Sequence, residues 1–543
     1  MSVSTRLHVA QGQTRLRQSS LTSSLLMVAV VAALAAEVPA QFQFEQLGQP
    51  FPSLQTDTRS VVLGDVDGDG DLDLLTGNSD GYYAFANLPN QNRLYLNDGA
   101  GRFADVTATH LPTSSDDTTS IALGDVDGDG DLDVVIGNTH DYYGPRQNRL
   151  YLNDGSGTFV DATVGHLPAI ADYTLAIALG DLDGDGDIDI IFGGWPTRVL
   201  LNDGVGHYSD TQALSVPSGS SFMFGLDLAD IDDDDDLDLV CVNGAQSTLF
   251  RNDGAGVFQD ITQSHMPANT NWNSTSVALA DVDGDGDIDM ALGAHASIVP
   301  GGQVPPMLVG TQDRLCLNNG NGVFVDATAT HLPAILDYTS SLLFGDLDDD
   351  GDLDLLAVTG IVSRQWLNDG AGTFTDATAT GMQMVSCSEA ALGDIDGDGD
   401  LDIVLGDTVY RGSWGQILGG QERILRNLLR QLHAPGLPTI GQNYTLDVYA
   451  RHGAPHLFDV ALPYVSQAPA SIALEPFGTI GIDLTQAVAL PPTLIMQPSG
   501  VASITIAIPN NPALVGQDLH AQALLVPYPL PPRLTNVTLG TVQ

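Results

Sequence analysis

Apolar residues occur along this chain in short runs in which apolar and small or polar residues alternate. The first unit contains SVVLG at 60–64, LDLLTG at 72–77, NRLYLN at 92–97 and GRFADVT at 101–107. A period of two is typical of β-strands, and the unit lacks the 3.6-residue period of an amphipathic helix. We name these segments A, B, C and D and predict four antiparallel strands.

Segments C and D are joined by a turn that recurs along the chain. It reads NDGAGRF at 97, NDGSGTF at 153, NDGVGHY at 202, NDGAGVF at 252, NNGNGVF at 318 and NDGAGTF at 368. Asn-Gly or Asp-Gly between alternating apolar residues is a strong hairpin signal. Segments C and D therefore form a β-hairpin.

The unit is repeated seven times, the last time without a segment D after segment C. An acidic run follows each segment A, beginning at Asp65, Asp125, Asp181, Asp230, Asp281, Asp346 and Asp394, with a mean period of about 55 residues. Periods of this length point to arrays or propellers, and four antiparallel strands per unit form a blade. The pattern predicts an all-β, seven-bladed β-propeller.

A propeller ring has to be closed, because an open end leaves strand edges unpaired. Blade seven has its segment C, ERILRN at 422–427, but no turn and no segment D after it. The segment FQFEQL at 42–47 precedes the first acidic run at nearly the usual spacing, since Phe44 to Asp65 is 21 residues and Phe103 to Asp125 is 22. We predict that 42–47 supplies the last strand of blade seven.

The first forty residues differ from the repeats and predict an export signal. Arg6, Arg15 and Arg17 precede the apolar stretch LLMVAVVAALAA, which ends near Val38-Pro39-Ala40. The stretch is shorter than the roughly 20 residues that a membrane span needs. We expect cleavage after Ala40 and no membrane span in the remaining chain; the alternative is an uncleaved anchor.

The repeat pattern ends near Arg430. We assign residues 1–40 to the signal, 41–430 to the propeller, 431–436 to a linker and 437–543 to a small β-sandwich. The last segment has apolar alternation, many prolines and few charge clusters, and nothing in it suggests a site.

The charge of the chain is strongly negative and concentrated in the repeats. Its 543 residues carry 68 acids and 18 bases, all Arg, for a net charge of −50, and 38 of the acids lie in the seven acidic runs. Nucleic acids and anionic membrane surfaces require basic surfaces and are therefore poor partners, and we expect no nucleic acid partner. The absence of Lys excludes Lys-based covalent catalysis.

Each acidic run has the pattern D-x-D-x-D-G-x-x-D, or a close variant. Side-chain oxygens at positions 1, 3, 5 and 9, with the main-chain carbonyl at position 7, match the oxygen cage that Ca²⁺ requires. The aspartates at these positions are Asp65, Asp67, Asp69, Asp71 and Asp73; Asp125, Asp127, Asp129, Asp131 and Asp133; Asp181, Asp183, Asp185, Asp187 and Asp189; Asp230, Asp232, Asp234, Asp236 and Asp238; Asp281, Asp283, Asp285, Asp287 and Asp289; Asp346, Asp348, Asp350, Asp352 and Asp354; Asp394, Asp396, Asp398, Asp400 and Asp402.

Up to seven Ca²⁺ ions would neutralise much of this charge. Two carboxylates about 5 Å apart repel by roughly 3 kcal/mol at an effective dielectric near 20, so several pairs per loop oppose folding until a cation binds. The alternative is a set of solvated acidic turns without metal. Loop four has Asp235 in place of the glycine at position 6, where positive φ is costly, and we predict the weakest site there. In loop six, Asp349 replaces the glycine at position 4, and we expect little effect.

The acidic loop followed by NRLYxNxGxGxFxDVT resembles the FG-GAP/VCBS repeats of integrin-α-type seven-bladed propellers, most closely the bacterial secreted variety. The resemblance covers about 44–427 and implies the propeller fold and β-hairpin calcium loops. It does not imply one role, because this ring serves adhesins, lectins and some polysaccharide-cleaving enzymes. The C-terminal segment is similar to accessory β domains of secreted bacterial proteins.

Strand order places the calcium loops and C–D turns on one face and the B–C loops on the other. Long B–C loops in the consecutive blades seven, one and two would bring aromatic and arginine residues together for sugar stacking or protein contact. The candidate residues are Tyr82, Tyr83, Phe85, Tyr142, Tyr143, Arg146, Tyr410, Arg411 and Trp414. The alternative is that these residues only pack the loops down.

Other residues with chemical potential recur from blade to blade. His110, His166, His265 and His331 each precede Leu-Pro or Met-Pro, and a catalytic or metal-binding His would be singular, so we expect structural roles. Cys241, Cys316 and Cys387 are scattered and odd in number, which indicates buried free thiols.

Three functions are compatible with these features. The first is an exported calcium-binding propeller, secreted or on the cell surface, that acts in recognition or adhesion of a carbohydrate or protein. The second is a calcium-dependent polysaccharide-degrading enzyme, which is weaker because no singular catalytic constellation stands out. The third is an extracellular structural scaffold.

Overall fold

The structure is a computed structural model with two compact units, Phe44–Asn427 and a second unit that includes Leu428–Gln543. Within 44–427 it describes all residues except 47–50, 52–55, 80–89, 100, 142–143, 215–222, 244–246, 268–273, 295–296, 299–307, 349, 360–361, 379–386, 398, 407–409, 412–416 and 419–421. Residues 1–43 lie outside the described residues, and from 428 onward the strands given below are described.

Seven small antiparallel sheets in a ring form a seven-bladed β-propeller, as the sequence predicts. In blades one to three, strands A to D are Asp57–Gly64, Asp73–Ser79, Arg93–Asn97 and Phe103–Asp105; Thr118–Gly124, Asp133–Asn138, Arg149–Asn153 and Phe159–Asp161; Ala171–Gly180, Asp189–Trp195, Thr197–Leu201 and Ser209–Leu214.

Blades four to seven repeat the order. Their strands are Met223–Ala229, Asp238–Asn243, Thr248–Arg251 and Gln259–Asp260; Ser274–Ala280, Asp289–Ala294, Arg314–Leu317 and Val325–Asp326; Thr339–Gly345, Asp354–Thr359, Arg364–Leu367 and Thr375–Asp376; Glu389–Gly393, Asp402–Gly406, Arg423–Asn427 and Phe44–Gln46.

The last strand of blade seven comes from the start of the propeller segment. Phe44, Glu45 and Gln46 pair with Asn427, Arg426 and Leu425 in antiparallel register. This confirms the predicted closure, and the paired strand is Phe44–Gln46.

The core is divided among the interfaces between blades. In blades one and two, strand B is buried along its whole length, because a neighbouring blade covers each of its faces. A cluster including Val66, Leu94, Ile136 and Tyr151 joins blades one and two. Similar clusters join the other neighbours, including blades seven and one, so the ring is sealed by apolar contact at every interface.

Short helical turns occupy four of the D–A connections. They are Thr107–His110, Thr163–His166, Thr262–His265 and Thr328–His331. Their first threonine accepts a hydrogen bond from strand C, as when the Leu94 N–H donates to Thr107 Oγ1 over 3.1 Å. In the part of the chain that the structure describes, no helix is long and apolar enough to cross a membrane.

Three of the long B–C loops contain hairpins of their own. They are formed by His140–Asp141 with Gly144–Gln147, Ser297–Ile298 with Leu308–Val309, and Tyr410–Arg411 with Ile417–Leu418. In blade two, Gly144–Gln147 also pairs with the first residues of strand A of blade three.

The second unit is also built of antiparallel strands. Leu432–His433, Asn443–Tyr449 and Val501–Ala507 form one sheet. Phe458–Ser466 and Asp518–Val526 form the centre of a second sheet with Val488–Ala489, Thr493–Met496, Arg533–Leu534 and Thr538–Thr541, and Pro469–Ala473 pairs with Thr479–Ile482. The all-β character agrees with the sequence pattern, and the sandwich and its 437–543 boundaries stay predictions.

Candidate metal centre and ligand face

Each acidic loop connects strands A and B of its blade. Loop one begins at Asp65, directly after Gly64 ends strand A, and ends at Asp73, the first residue of strand B. Antiparallel order puts the A–B loops and C–D turns at one end of every blade and the B–C connections at the other. The acidic loops therefore share one face.

The first aspartate of each loop organises the turn. In loop one, Asp65 Oδ1 accepts from the N–H groups of Gly68 (2.8 Å) and Asp69 (3.1 Å), and Oδ2 accepts from that of Gly70 (2.9 Å). Asp69 Oδ1 in turn accepts from the Asp71 N–H over 3.0 Å. The carboxylates are thereby drawn into a tight loop despite their mutual repulsion.

The aspartate at position 9 is the buried anchor of the site. Asp73 is 1% exposed, and its two oxygens accept from the N–H groups of Val66 (3.1 Å) and Asn97 (2.8 Å). Burial raises the pKa of this aspartate to about 6 in Asp73 and Asp189, to about 7 in Asp133, Asp238 and Asp289, and to about 8 in Asp354. A bound cation would favour the ionised form.

Carboxylate oxygens from positions 1, 3 and 5 or 9 converge within loops one to five. Atoms from each of five groups, and from two more, lie within 4.8 Å of one another: Asp65, Asp67 and Asp73; Asp125, Asp127 and Asp133; Asp181, Asp183 and Asp189; Asp230, Asp232 and Asp234; Asp281, Asp283 and Asp285. The all-oxygen composition of these groups suits a hard divalent cation.

Unsatisfied oxygen atoms at position 3 provide a direct test of this fit. The Oδ1 atoms of Asp127, Asp183, Asp232 and Asp348 are buried and have no hydrogen-bond partner. A buried carboxylate oxygen without a partner is costly, and a cation is one of the groups that can satisfy it. Burial and then the neighbouring Asp129 charge raise the pKa of Asp127. These residues fit a metal ion.

The side chain at position 7 lies elsewhere. A Cβ atom on Gly99, which has φ +70° in the C–D turn, would collide with the carboxylate of Asp71. Equivalent contacts occur in other blades, for example between Gly155 and Asp131. The glycine of the turn therefore makes room for the side chain at position 7, and the ligand role of the main-chain carbonyl there stays a prediction.

Loop four is more strained than the sequence indicates. Asp235 at position 6 has φ +68°, as expected, and Asp233 at position 4 has φ +60°. Position 4 also has positive φ in glycine-containing loops, as in Gly68 with φ +75°. Position 4 is therefore not freely variable, which sequence reasoning missed; Asp349, the residue at this position in loop six, lies outside the described residues.

Comparison with models of known protein families identifies the type of repeat. The family model described as FG-GAP-like repeat matches residues 75–136, 137–192, 230–292 and 307–357. These matches fall on the seven-bladed ring. The protein is an FG-GAP β-propeller.

The similarity of this FG-GAP propeller to individual known proteins is low. None of the curated proteins matches the chain. Among solved structures, it is similar to an Agrocybe aegerita lectin described as recognising non-reducing terminal N-acetylglucosamine, with 20% identity, a TM-score of 0.40, and coverage of 59% of this chain and 79% of that one. It is also similar to a Schwanniomyces occidentalis fructofuranosidase, with 10% identity, a TM-score of 0.29, and coverage of 94% and 93%. Scores this low say nothing about what this propeller binds.

The predicted ligand patch of the FG-GAP propeller falls mostly outside the described residues. Tyr82, Tyr83, Phe85, Tyr142, Tyr143 and Trp414 lie there, and Tyr410 and Arg411 form a described strand whose side chains are not described. Arg146 is half-buried, and it pairs through its backbone with Asp172 of blade three. The grouping of these residues into one surface stays a prediction.

Exposed aromatic residues occur on the B–C face of other blades. Trp195 ends strand B of blade three and is 67% exposed, and Tyr338, just before strand A of blade six, is 40% exposed. Sequence reasoning missed Trp195 because the B–C connection of blade three is short. The Trp-Pro pair in this short connection is visible in the sequence, but the exposure of Trp195 is not.

The recurrent histidines and the cysteines occupy structural positions. Each of the four histidines ends a helical turn, and His166 Nδ1 lies 3.0 Å from the carbonyl oxygen of Gly206 in the next blade. Cys241, Cys316 and Cys387 are buried thiols outside any disulfide, as predicted.

The residues most clearly missed from the sequence are asparagines next to the metal loops. Asn97, the last residue of strand C in blade one, is buried and holds Asp73 through its backbone N–H. An asparagine occupies this place in all seven blades, which is a sequence signal hidden within the Asn-Asp-Gly turn.

Proposed function

We propose that this protein is an exported calcium-binding propeller that recognises a carbohydrate or protein ligand through the face opposite its calcium loops. The observation that carries the proposal is the convergence of carboxylate oxygens in the A–B loops, all at one end of the blades. Metal at that end stabilises the ring and leaves the B–C end for contact with a partner.

Calcium is the cation that best suits these loops. It accepts six to eight oxygen ligands in flexible geometry, whereas Mg²⁺ requires a near-ideal octahedron and retains several waters. Each loop offers four carboxylates and a main-chain carbonyl within nine residues. The buried oxygens at position 3 without hydrogen-bond partners support a ligand role.

Recognition through the B–C end is supported by what is exposed there. Trp195 is 67% exposed, and long B–C loops of blades one, two and seven carry the aromatic and arginine residues predicted from the sequence. Exposed aromatics beside arginine are typical of sugar stacking and of protein hot spots.

Binding to glycan and cell-surface protein arrays, with calcium and with a chelator, tests this function. Trp195→Ala, Tyr142→Ala and Trp414→Ala should weaken binding, and Val205→Ala, at an exposed apolar residue of a C–D turn on the loop face, should leave it unchanged. Release of new reducing ends or unsaturated uronate would favour the polysaccharide-degrading alternative. Absence of both binding and release would favour a structural scaffold.

Export is tested by locating the protein in a bacterial culture that expresses the full chain. Mature protein outside the cytoplasm, with an N-terminus after Ala40, would support the proposed signal. Retention of residues 1–40 on a membrane-bound product would support the anchor alternative.

A further inference from the structure

The seven buried asparagines at the ends of strands C join each acidic loop to the loop of the preceding blade. In blade two, Asn153 Nδ2 donates to the carbonyl of Leu132 in its own loop (3.0 Å) and to that of Val66 in loop one (2.8 Å). Its backbone N–H donates to Asp133 Oδ1 over 2.8 Å. One residue thus contacts two candidate metal loops.

The same bridge occurs at every interface. The cross-blade donor and acceptor pairs are Asn97 and Ile395, Asn153 and Val66, Asn202 and Val126, Asn252 and Leu182, Asn318 and Ile231, Asn368 and Val282, and Asn427 and Leu347, with distances of 2.7 to 3.2 Å. Each acceptor is the residue at position 2 of a loop. The seven bonds form a closed circuit through all seven loops.

Turn formation does not account for this choice of residue. Aspartate suits such turns as well as asparagine, but it has no N–H to donate. Blade seven decides between the two roles, because no Asn-Asp-Gly turn follows Asn427 in the sequence and Asn427 still donates to the carbonyls of Leu347 and Leu401. The donor group is what the position requires.

We propose that these asparagines couple neighbouring metal loops, so that calcium binds cooperatively around the ring. A cation in loop two orders Asp133 and the loop backbone, and Asn153 transmits that order to the Val66 carbonyl of loop one. Val66 itself donates to Asp73, the buried ligand candidate of loop one. The inference rests on the proposed calcium binding, and Asn153 acts as a positioning residue for both loops.

Strand C of blade two offers a matched pair of variants. Asn153→Ala removes the bridge but keeps the backbone N–H that holds Asp133. Asn148→Ala, at the residue just before the same strand, removes a buried cross-blade bond from Asn148 Nδ2 to Thr174 Oγ1 (2.9 Å) and the bond that Asn148 Oδ1 accepts from the Asn138 N–H (3.0 Å), both away from the acidic loops. Asn148 is 8% exposed and Asn153 is 7% exposed, so both variants shorten an asparagine that is buried to a similar degree.

Calorimetric titration of calcium into metal-free protein tests the coupling. We expect a Hill coefficient above 1 for the unmodified chain, a lower one for Asn153→Ala with about fivefold weaker binding at the adjoining loops, and an unchanged isotherm for Asn148→Ala. Equal isotherms for the two variants, or non-cooperative binding by the unmodified chain, would overturn the proposal. Failure of calcium to bind at all would instead remove the proposed calcium-binding function.

A second measurement separates coupling from simple loss of a site. Asp125→Ala disables loop two, and the resulting protein should bind calcium about fivefold more weakly at loop one as well. In the Asn153→Ala background, Asp125→Ala should lower only the number of ions bound, measured by equilibrium dialysis and elemental analysis. If Asp125→Ala leaves the calcium affinity of loop one unchanged in both backgrounds, the coupling is contradicted. Far-UV circular dichroism checks that every variant is folded.

Discussion

Phe44 lies directly opposite Asn427, and this pairing closes the propeller ring between the start of its segment and the end of its last strand C. Phe44 is 1% exposed and packs with Leu347, Leu405 and Leu425 in the core between blades six and seven. Closure therefore depends on buried apolar area as well as on backbone hydrogen bonds.

Phe44→Ala should open this closure. Loss of a buried phenylalanine costs about 3–5 kcal/mol, and here it also releases the outer strand of blade seven. We expect a lower Tm and faster native-state hydrogen exchange along Arg423–Asn427. Phe159→Ala, at the 4%-exposed residue that begins strand D of blade two, should cost similar stability without exposing Arg423–Asn427. Unchanged exchange in that strand for Phe44→Ala would contradict this account.

Removal of divalent cations should destabilise the propeller strongly. Each site at a calcium concentration 100-fold above its Kd contributes about 2.7 kcal/mol, and without metal the converging carboxylates repel one another. A chelator should lower Tm by about 10 °C or more. Thermal unfolding with calcium, with magnesium and with sodium at matched ionic strength measures the effect. Equal Tm values in all three would be incompatible with metal-stabilised loops.

The fold was predictable because the alternation of apolar residues, the turn sequence and the repeat spacing all indicate the same architecture. The strands follow from the alternation, the C–D hairpin from its Asn-Asp-Gly turn, and the ring closure from the spacing between Phe44 and Asp65. Strand D was the least accurate element, since GRFADVT contributes only Phe103–Asp105 and its last residue, Thr107, begins a helical turn. The turn has one helical period, too short to produce an amphipathic pattern.

Features that depend on contacts between blades were not predictable in the same way. The sequence identifies Asp73 as a ligand candidate but does not show that the Asn97 N–H fixes it, because the bond spans 24 residues. The bridge from Asn97 to Ile395 spans 298 residues and exists only once the ring is closed. Exposure of Trp195 likewise depends on the packing of its neighbours.

Loop four should be the first to lose its ion. Asp233 and Asp235 are the two non-glycine residues with positive φ among the described residues, a conformation that costs up to about 1–2 kcal/mol for a residue with a Cβ and less for Asp. Desolvation, then the Asp285 charge and then the Asp233 charge raise the pKa of Asp287 in loop five. Replacing both by glycine should raise Tm by about 2 °C and tighten calcium binding.

The reverse substitution provides the control for loop four. Gly130→Asp in loop two introduces the same strain at position 6, where nothing lies within 4 Å of an added Cβ, so its cost comes from backbone conformation and charge. Elemental analysis after dialysis against limiting calcium should show one ion fewer for this variant than for the unmodified chain. If neither Gly130→Asp nor the variant with glycine at positions 233 and 235 changes the number of ions bound, the prediction that loop four loses its ion first is wrong.

Asp313 occupies a place where blades one and two have asparagine, and it should make stability depend on pH. Asn92 Nδ2 donates to Thr118 Oγ1 over 3.0 Å, whereas Asp313 Oδ2 accepts from Thr339 Oγ1 over 2.9 Å and Oδ1 accepts from the Ala294 N–H over 2.7 Å. Asp313 is 2% exposed, and burial raises its pKa to about 7. The charge of Asp337 adds to this increase, and Arg364 opposes it.

The sign of the pH dependence follows from the raised pKa. The folded protein holds the Asp313 proton more tightly than the unfolded chain, whose carboxyl has the ordinary pKa of 3.8, so this contribution to stability is full below pH 3.8 and is lost as pH rises through about 7. Asp313→Asn stays neutral and can donate to Thr339 as Asn92 donates to Thr118. With saturating calcium, its Tm should exceed that of the unmodified chain by about 2 °C or more at pH 8, and the difference should become smaller as pH falls toward 5. Asn148→Asp adds a buried carboxyl in blade two and should have the opposite effect to Asp313→Asn, so that its Tm falls further below that of the unmodified chain as pH rises. Parallel pH profiles for all three proteins would show that the buried carboxyl does not titrate as its surroundings require.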